Sequence, residues 1–306
     1  MSPVLAIDWG TSSLRGALLG DAGEVIEERT YARGILTVAA GGVAHVFESL
    51  FGDCMRGARL CLMSGMVGSR QGWQEAPYCA CPAGFDDIAG RLLWVQPGRI
   101  AIVPGLTCER GALAGEPALS TLHDVMRGEE TQILGALRLL EIGDATLVLP
   151  GTHSKWARVA GGRVESFTTF MTGEIFALLR HHSILGRTLP ETDTGGDEAA
   201  FALGVRIALK SESLLATAFS ARTVALFDQL EERRRTDYLS GLVIGEELRV
   251  QSPIDGAVII VGADALTQRY RSALALKGVA SRCVGAEATW AGLWAIAQSI
   301  EGTKVK

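Results

Sequence analysis

The residues best suited to chemistry stand in two short turns of similar make-up. Near the start, Val4-Leu5-Ala6-Ile7 runs into Asp8-Trp9-Gly10-Thr11-Ser12-Ser13 and leaves through Leu14 and Arg15. Midway, Thr146-Leu147-Val148-Leu149 runs into Pro150-Gly151-Thr152-His153-Ser154 and leaves through Lys155 and Trp156. In both copies a further glycine turn follows, at Asp21-Ala22-Gly23 and at Gly161-Gly162. Backbone N–H groups of a tight turn, with hydroxyls beside them, make a cradle for phosphate. Gly10, Thr11, Ser12 and Ser13 are therefore candidate phosphate ligands, as are Gly151, Thr152, His153 and Ser154. The copies differ at one position: Asp8 in the first is matched by Leu149 in the second. A carboxylate at a strand end can hold Mg2+, partly through water. Asp8 is thus the metal candidate, and only one turn carries one. A single such turn reads as well as a plain hairpin with a stray aspartate. Two of them would give a triphosphate two walls.

The elements around these turns repeat as well. Apolar runs predict strands at 4–8, 13–20 and 24–31, then a helix over 44–59 with Val46, Phe47, Leu50, Phe51, Cys54 and Met55 on one stripe. A buried strand at 60–63 feeds the glycine-rich loop Ser64-Gly65-Met66-Val67-Gly68-Ser69-Arg70-Gln71-Gly72-Trp73, and loops leaving strand ends are where α/β proteins place ligands. Pro77 and Pro82 predict irregular chain over 74–84, and 101–107 reads as a strand ending at Pro104-Gly105. Gly111, Gly115, Pro117 and Ser120 suggest a boundary within 110–125, giving domains at 1–118 and 119–306. A helix over 129–141 precedes the second hairpin set at 145–170, and Thr172-Gly173-Glu174 opens another helix. Helices over 197–250 lead to a strand at 257–261, the turn Gly262-Ala263-Asp264, a helix at 264–276, a strand at 279–284 and a closing helix from Glu287. Three antiparallel strands followed by helix–strand alternation, given twice, predict an α/β chain of two ribonuclease-H-like domains.

Bulk properties exclude several classes. At 306 residues with 48% hydrophobic content the chain can bury a large core. A net charge of −5 argues against a nucleic-acid groove, and Arg233-Arg234-Arg235, flanked by Glu231 and Glu232, reads as a solvated helix end. No apolar run approaches the roughly 20 residues that span a bilayer, and the chain enters a strand without a signal core, so a cytoplasmic protein is expected. Six scattered cysteines fit a reducing compartment better than a disulfide framework or a zinc site, Cys79-Ala80-Cys81 included. The sequence does not fix an oligomeric state; a homodimer stays open.

Neither a Gly-x-x-x-x-Gly-Lys-Ser/Thr loop nor a Gly-x-Gly-x-x-Gly turn after a strand occurs, so any nucleotide must be bound by the hairpins. The strand ending at Gly262-Ala263 would offer N–H groups and an apolar shelf to adenosine, though it reads equally as an ordinary strand–helix turn.

Asp8-Trp9-Gly10-Thr11-Ser12, the 64–73 loop, Asp124-Val125-Met126-Arg127-Gly128-Glu129-Glu130-Thr131-Gln132 and Pro150-Gly151-Thr152-His153-Ser154-Lys155-Trp156 together resemble the 2-dehydro-3-deoxygalactonokinase family. Met171-Thr172-Gly173-Glu174 and Tyr238-Leu239-Ser240-Gly241-Leu242 extend the resemblance, which runs in order from residue 4 to about 298. It implies an actin-like ATPase fold with a nucleotide cleft between two domains. It also implies ATP and Mg2+ as cofactors and phosphorylation of the terminal hydroxyl of 2-dehydro-3-deoxy-D-galactonate in galactonate breakdown. Asp8 to Ser12 would be the first phosphate motif, Gly151 to Ser154 the second, and Gly262 to Asp264 the adenosine motif, where Ala263 replaces the usual second glycine. Related sugar kinases carry a catalytic aspartate where this chain reads Arg127-Gly128-Glu129-Glu130, so Glu129 or Glu130 would serve, with Asp124 a further candidate.

Phosphoryl transfer needs charge neutralisation at the γ-phosphate and a carboxylate for the attacking hydroxyl. Asp8 with Mg2+ suits the first task. Glu129 or Glu130 suits the second, although acids at a helix start also simply favour the helix dipole. Asp197, in Gly195-Gly196-Asp197, is a rival better read as an N-cap. A sugar acid needs a cationic partner, and Arg70 is the first choice because its fork matches a carboxylate. Its neighbours Ser69 and Gln71 are further substrate candidates, with Lys155 and Glu174; His153 would donate to acid or phosphate. Trp73 and Trp156 read as packing residues. The alternatives are a kinase of the same fold acting on another sugar or sugar acid, and a nucleotide-dependent sugar sensor without turnover. A serine hydrolase lacks its Gly-x-Ser-x-Gly elbow. Domain closure on ATP and acid is expected, to exclude water.

Overall fold

In the computed structural model, residues 2–111, 121–192, 195–251, 254 and 256–303 are described. The chain divides into two compact units: Met1–Ala145 with Ala157–Thr168 and Val284–Lys306, and Thr146–Trp156 with Thr169–Cys283. The boundary expected at 118/119 lies outside the described residues.

The first unit is built on a six-stranded sheet of order β3-β2-β1-β4-β7-β6, from β1 (Val4–Trp9), β2 (Leu14–Leu19), β3 (Val25–Tyr31), β4 (Leu60–Gly65), β6 (Leu93–Gln96) and β7 (Ile100–Ile102). β1 to β3 form an antiparallel meander, and β1 then pairs parallel with β4 through the crossover helix α1 (Val43–Gly57). Phe47, Phe51, Cys54 and Met55 of α1 recur at helical spacing and pack on Leu5, Ile7 and Met63 of the sheet. That is the amphipathic face the periodicity predicts.

Between β4 and the second unit the structure departs from the sequence reading. The stretch expected to be irregular contains β5 (Tyr78–Ala80), and α2 (Phe85–Ala89) follows it. The single strand expected over 101–107 is two: β7 ends at Ile102, and β8 (Gly105–Glu109) begins beyond Pro104. Proline has no N–H for the ladder, so pairing stops there. β8 instead joins β5 and β9 (His123–Met126) in a small sheet of order β5-β8-β9.

The second unit's β10 (Ala145–Leu149) pairs parallel with β13 (Val258–Val261). They lie in a five-stranded sheet of order β12-β11-β10-β13-β14, with β11 (Ser154–Ala160), β12 (Arg163–Phe170) and β14 (Ser281–Val284). Its helices are α4 (Thr172–His182), α5 (Glu198–Lys210), α6 (Leu214–Thr217), α7 (Ser220–Leu226), α8 (Arg235–Val250) and α9 (Asp264–Leu276). Asp197 caps α5, its side chain accepting from Ala200 N at 2.8 Å, as the N-cap reading has it. The arginine run is not a solvated end. Arg234 pairs with Asp197 at 2.8 Å, and Arg235 donates to the carbonyls of Leu230 and Thr188. Only Arg233 keeps a surface pair, with Glu231.

One packing device recurs. In the first unit α3 (Glu129–Leu140) crosses α10 (Glu287–Thr303) backbone to backbone: β-carbons on Gly135 and Gly292 would lie 1.8 Å from Ala288 O and 1.9 Å from Thr131 O. In the second, α5 crosses α8 the same way, with Gly204 and Gly241 at 2.2 Å and 2.1 Å from Tyr238 O and Phe201 O. These crossings fix α3 and α8, each of which carries a buried acid. No helix among the described residues is long and apolar enough to cross a membrane.

Candidate active site

The first turn closes on itself and is backed from behind. Asp8 faces Arg15 and Trp9 faces Leu14 across the hairpin, Gly10 N donates to Ser13 O at 2.9 Å, and Ile35 N occupies the Gly10 carbonyl at 3.0 Å. Thr11, Ser12 and Ser13 are exposed. Asp8 Oδ2 accepts from Arg15, whose guanidinium also lies 5.5 Å over the Trp290 ring. Asp8 Oδ1 lies 3.5 Å from where a β-carbon on Gly65 would sit.

That glycine is where the sheet meets α3. Gly65 (φ 92°) and Gly128 (φ 110°) both adopt the conformation L side chains avoid. A β-carbon on Gly65 would lie 2.8 Å from Trp9 O, and one on Gly128 would lie 3.3 Å from Gly65 Cα. The contact sets the first residues of α3 at the end of β4. Ser64, paired with Asp8 in the strand register, is fully buried and bonds Thr131 Oγ1 at 3.1 Å and Glu130 Oε1 at 3.4 Å. Glu130 Oε2 accepts from Gly128 N at 2.7 Å, and Glu129 Oε2 from Arg127 N at 3.0 Å. Glu130 has no exposed surface. Burial, and then the charge of Glu129, push its carboxyl up to about 8. A carboxylate so raised is a better proton acceptor near neutral pH than an ordinary one.

Asp124 sits elsewhere, on β9 of the small sheet, with its Oδ1 on its own following amide and Arg110 at 3.7 Å. Of the four acids expected to act, Asp8, Glu129 and Glu130 therefore gather around the Gly65–Gly128 contact.

The second turn is held differently. Ser154 is fully buried and donates to Glu247 Oε1 at 2.8 Å; Trp156 Nε1 donates to the same oxygen at 2.6 Å. Glu247 Oε2 accepts from Tyr270 OH at 2.7 Å and from the hydroxyl of Thr172. Burial raises the Glu247 carboxyl above its ordinary value, and the four donors oppose that shift. Gly151 and Thr152 press on the start of α4: a β-carbon on Gly173 would lie 2.6 Å from Gly151 O, and Glu174 N donates to Thr152 O at 3.0 Å. His153 Nε2 meets Glu174 Oε2 at 2.5 Å, so these two candidates bind each other, while Lys155 is buried with Nζ on Thr169 Oγ1 at 2.8 Å. Gly262 lies beside Pro150 O, and Ala263 is exposed at the start of α9. Next to these segments is a cavity of about 200 Å³ lined by Gly151, Thr172, Phe176, Thr236, Ser240 and Arg269, among others. Thr236 Oγ1 is buried there without a partner among the described residues.

In the 64–73 loop, Ser69 Oγ donates to Met66 O at 2.8 Å, Gln71 is exposed, and the Arg70 side chain is 82% exposed against Glu75. Trp73 packs on Phe47 at 5.6 Å, and Trp156 is buried in the second unit's core.

The chain matches the family model for 2-keto-3-deoxy-galactonokinase over residues 8–296. The chain belongs to that family. It is 39% identical over 304 residues to the probable 2-dehydro-3-deoxygalactonokinase of Rhizobium meliloti (strain 1021), covering 96% of each chain. It is 33% identical over 300 residues to the 2-dehydro-3-deoxygalactonokinase of Escherichia coli (strain K12), covering 97% of this chain and 98% of that one. A Sinorhizobium meliloti crystal structure, given the same kinase name provisionally, superposes with a TM-score of 0.86 at 38% identity, covering 97% and 99% of the two chains. The activator of 2-hydroxyisocaproyl-CoA dehydratase from Clostridium difficile, solved with ADPNP, shares the fold at 12% identity and a TM-score of 0.52, covering 99% and 98%.

Two residues of this 2-keto-3-deoxy-galactonokinase family chain, Glu247 and Arg127, are not among those the sequence singles out. Glu247 falls three and four residues after Ile244 and Val243, on the buried stripe of α8, and that phase marks it as an inward-facing acid. Glu130 is separable from Glu129 in the same way, because Ile133, Leu134 and Leu137 place 130, not 129, on the buried face of α3. Arg127 lies 4.5 Å over Tyr78 with Nη2 on Ala76 O, and its charge opposes the upward shift of Glu130.

Proposed function

We propose that this chain transfers the γ-phosphoryl group of ATP to the terminal (6-) hydroxyl of 2-dehydro-3-deoxy-D-galactonate, a step of galactonate breakdown. The bond from O6 to the γ-phosphorus forms, the bond from that phosphorus to the departing ADP oxygen breaks, and the O6 proton passes to Glu130. The observation that carries the reading is the 39% identity, over 96% of both chains, to a protein named for this reaction. The ADPNP-bound Clostridium difficile neighbour supports nucleotide use in a fold of this kind.

Each unit contributes its own chemistry. In the first, the exposed hydroxyls and amides of Thr11 to Ser13 take phosphate oxygens, Gly10 N–H being used within the turn, and Asp8 would hold Mg2+. Magnesium commonly binds one or two carboxylates and completes its shell with substrate phosphates and water. Asp8 fits that donor set, and no cluster of three or more His, Cys, Asp or Glu among the described residues offers a protein cage instead. When bound, the ion neutralises phosphate charge. Glu130, raised by burial and aligned by Ser64 and Gly128 N, is the proton acceptor; it is fully buried in this state, so the start of α3 must open to substrate before it acts. Glu129, the first residue of α3, accepts from Arg127 N and adds its charge beside Glu130. In the second unit Thr152 and the turn amides take phosphate, and the cavity beside Gly151 takes the nucleoside, with Gly262 and Ala263 next to it. Ser69, Arg70 and Gln71 form the acid-recognising loop. The Arg70–Glu75 pair is a surface ion pair, which is weak and readily exchanged for a substrate carboxylate.

An ADP-release assay over aldonic and 2-keto-3-deoxy acids tests the reading. Turnover of 2-dehydro-3-deoxygalactonate is expected, and silence across the panel overturns it. The exposure of Arg70 favours one second reading, a kinase for a neutral sugar. Arg70→Ala should raise KM about tenfold for the acid, as loss of a charged hydrogen bond does, and leave neutral sugars unaffected.

A further inference from the structure

Glu247 has more hydrogen bonds than packing alone calls for. Its carboxylate is 2% exposed, and among the described residues no Lys, Arg or His pairs with it. Two donors meet each oxygen: Ser154 and Trp156 at Oε1, Thr172 and Tyr270 at Oε2. Burying a carboxylate is unfavourable, and an apolar side chain of similar size would fill the same volume with less penalty. The arrangement does something an apolar residue cannot: it ties three separate segments to one point. Ser154 and Trp156 belong to the second turn and its outgoing strand, Thr172 is the first residue of α4, and Tyr270 lies on α9 after the Gly262-Ala263 turn. Thr172 and Tyr270 also line the 200 Å³ cavity. The buried acid therefore sits behind the turn and two walls of the cavity at once.

The hydroxyl directions have a consequence for phosphate. Ser154 and Thr172 donate inward to the carboxylate, so toward the turn they present lone pairs, which do not attract an anion. Contact with phosphate then falls to the turn amides and to exposed Thr152, and Ser154 keeps the turn in shape.

We infer that Glu247 is a positioning residue for the nucleotide, acting through Ser154, Trp156, Thr172 and Tyr270 to hold the second turn and the adjoining cavity in register. This rests on the reading of that turn and cavity as the nucleotide-binding parts of the second unit. Glu247→Gln keeps the volume but replaces one acceptor oxygen with an amide donor. Trp156 can only donate, so the remaining oxygen stays with it, and the amide meets the hydroxyls of Thr172 and Tyr270, which must turn.

The test is calorimetric titration of the full chain with ADP, beside steady-state kinetics in both substrates and a thermal melt. For Glu247→Gln, ADP affinity should fall and ATP KM rise by about tenfold, the size expected for losing one hydrogen bond to a charged group. The sugar-acid KM should stay within about twofold, below the effect of one hydrogen bond. Tyr270→Phe, which removes one donor and keeps the carboxylate, should give a smaller change in the same direction. An unchanged ADP affinity in the folded Gln variant overturns the inference, and so does an equal rise in both KM values. If Glu247→Gln does not fold, Tyr270→Phe and Trp156→Phe decide, and unchanged ADP affinity in both overturns it. Should the wild type turn over no sugar acid, ADP titration still reads Glu247, so the two proposals fail separately.

Discussion

The two turns have similar sequences and contrasting surroundings. In the first, the acid is part of the strand that enters the turn: Asp8 is partly exposed and pairs with Arg15 across the hairpin. In the second, the strand position of Asp8 is Leu149, 3% exposed, and the acid comes from α8, as Glu247, beneath the turn. The residue two after each turn's last serine also diverges, Arg15 in one and Trp156 in the other, and each binds the local acid. A carboxylate in front of a phosphate turn can meet metal and substrate. One behind it can only shape the turn. On the proposed reading, the two similar turns are divided between chemistry and scaffolding.

Substitutions at matched positions test that division. The largest effect is expected for Asp8→Asn, which should lower kcat about a thousandfold, as loss of metal-assisted charge neutralisation does, with the melting temperature nearly unchanged. A stopped assay with the circular-dichroism melt alongside checks both halves; a large loss of stability would make Asp8 a scaffold residue too. Glu130→Gln should lower kcat by roughly a hundredfold or more, the range for a general base. Wild-type kcat should climb as pH rises through about 8, where Glu130 loses its proton, and the variant should lack that limb.

The same group makes a stability prediction of definite sign. Its folded pKa is raised above the ordinary value, so the native state holds a proton that the unfolded chain gives up between the two. Stability from this carboxyl is complete below the ordinary carboxylate range and declines as pH rises toward about 8. Glu130→Gln should therefore raise the melting temperature at pH 8 more than at pH 4. An equal shift at both would remove burial as the cause.

Leu149→Ala reverses the Asp8 pattern: about 2–4 kcal/mol of stability lost to a core cavity, read by urea unfolding, with kcat of the folded fraction kept. The smallest effect separates the second turn's hydroxyls. Thr152→Ala should raise ATP KM about fivefold, the value of one modest hydrogen bond, without moving the melt, while Ser154→Ala should lower the melt. If the two behave alike, the inward direction of the Ser154 hydroxyl has no functional meaning.

Much of this was legible in the sequence because it is local. A strand, a glycine turn and a returning strand are specified by neighbouring residues, so both turns, α1 and the Asp197 cap are found where composition and periodicity put them. What escaped is set by contacts between distant residues. Glu247 is 91 residues from Trp156, and nothing near either announces the other. β5 has three residues between Pro77 and Pro82, too short for alternation to register, and exists because β8 pairs with it. Arg234 and Arg235 read as a charge run in sequence, and their partners, Asp197 and the carbonyls of Leu230 and Thr188, are brought to them by the fold. The choice between Glu129 and Glu130 was available all along, in the helical phase of Ile133 and Leu137.

The glycine crossing of α3 and α10 bears on how the protein is made. Residues 287–303 leave the ribosome only after the whole of 1–283, yet they supply the helix against which the Glu130 segment is seated. During synthesis the nascent first unit must wait, its α3 unclasped, while an entire second unit emerges.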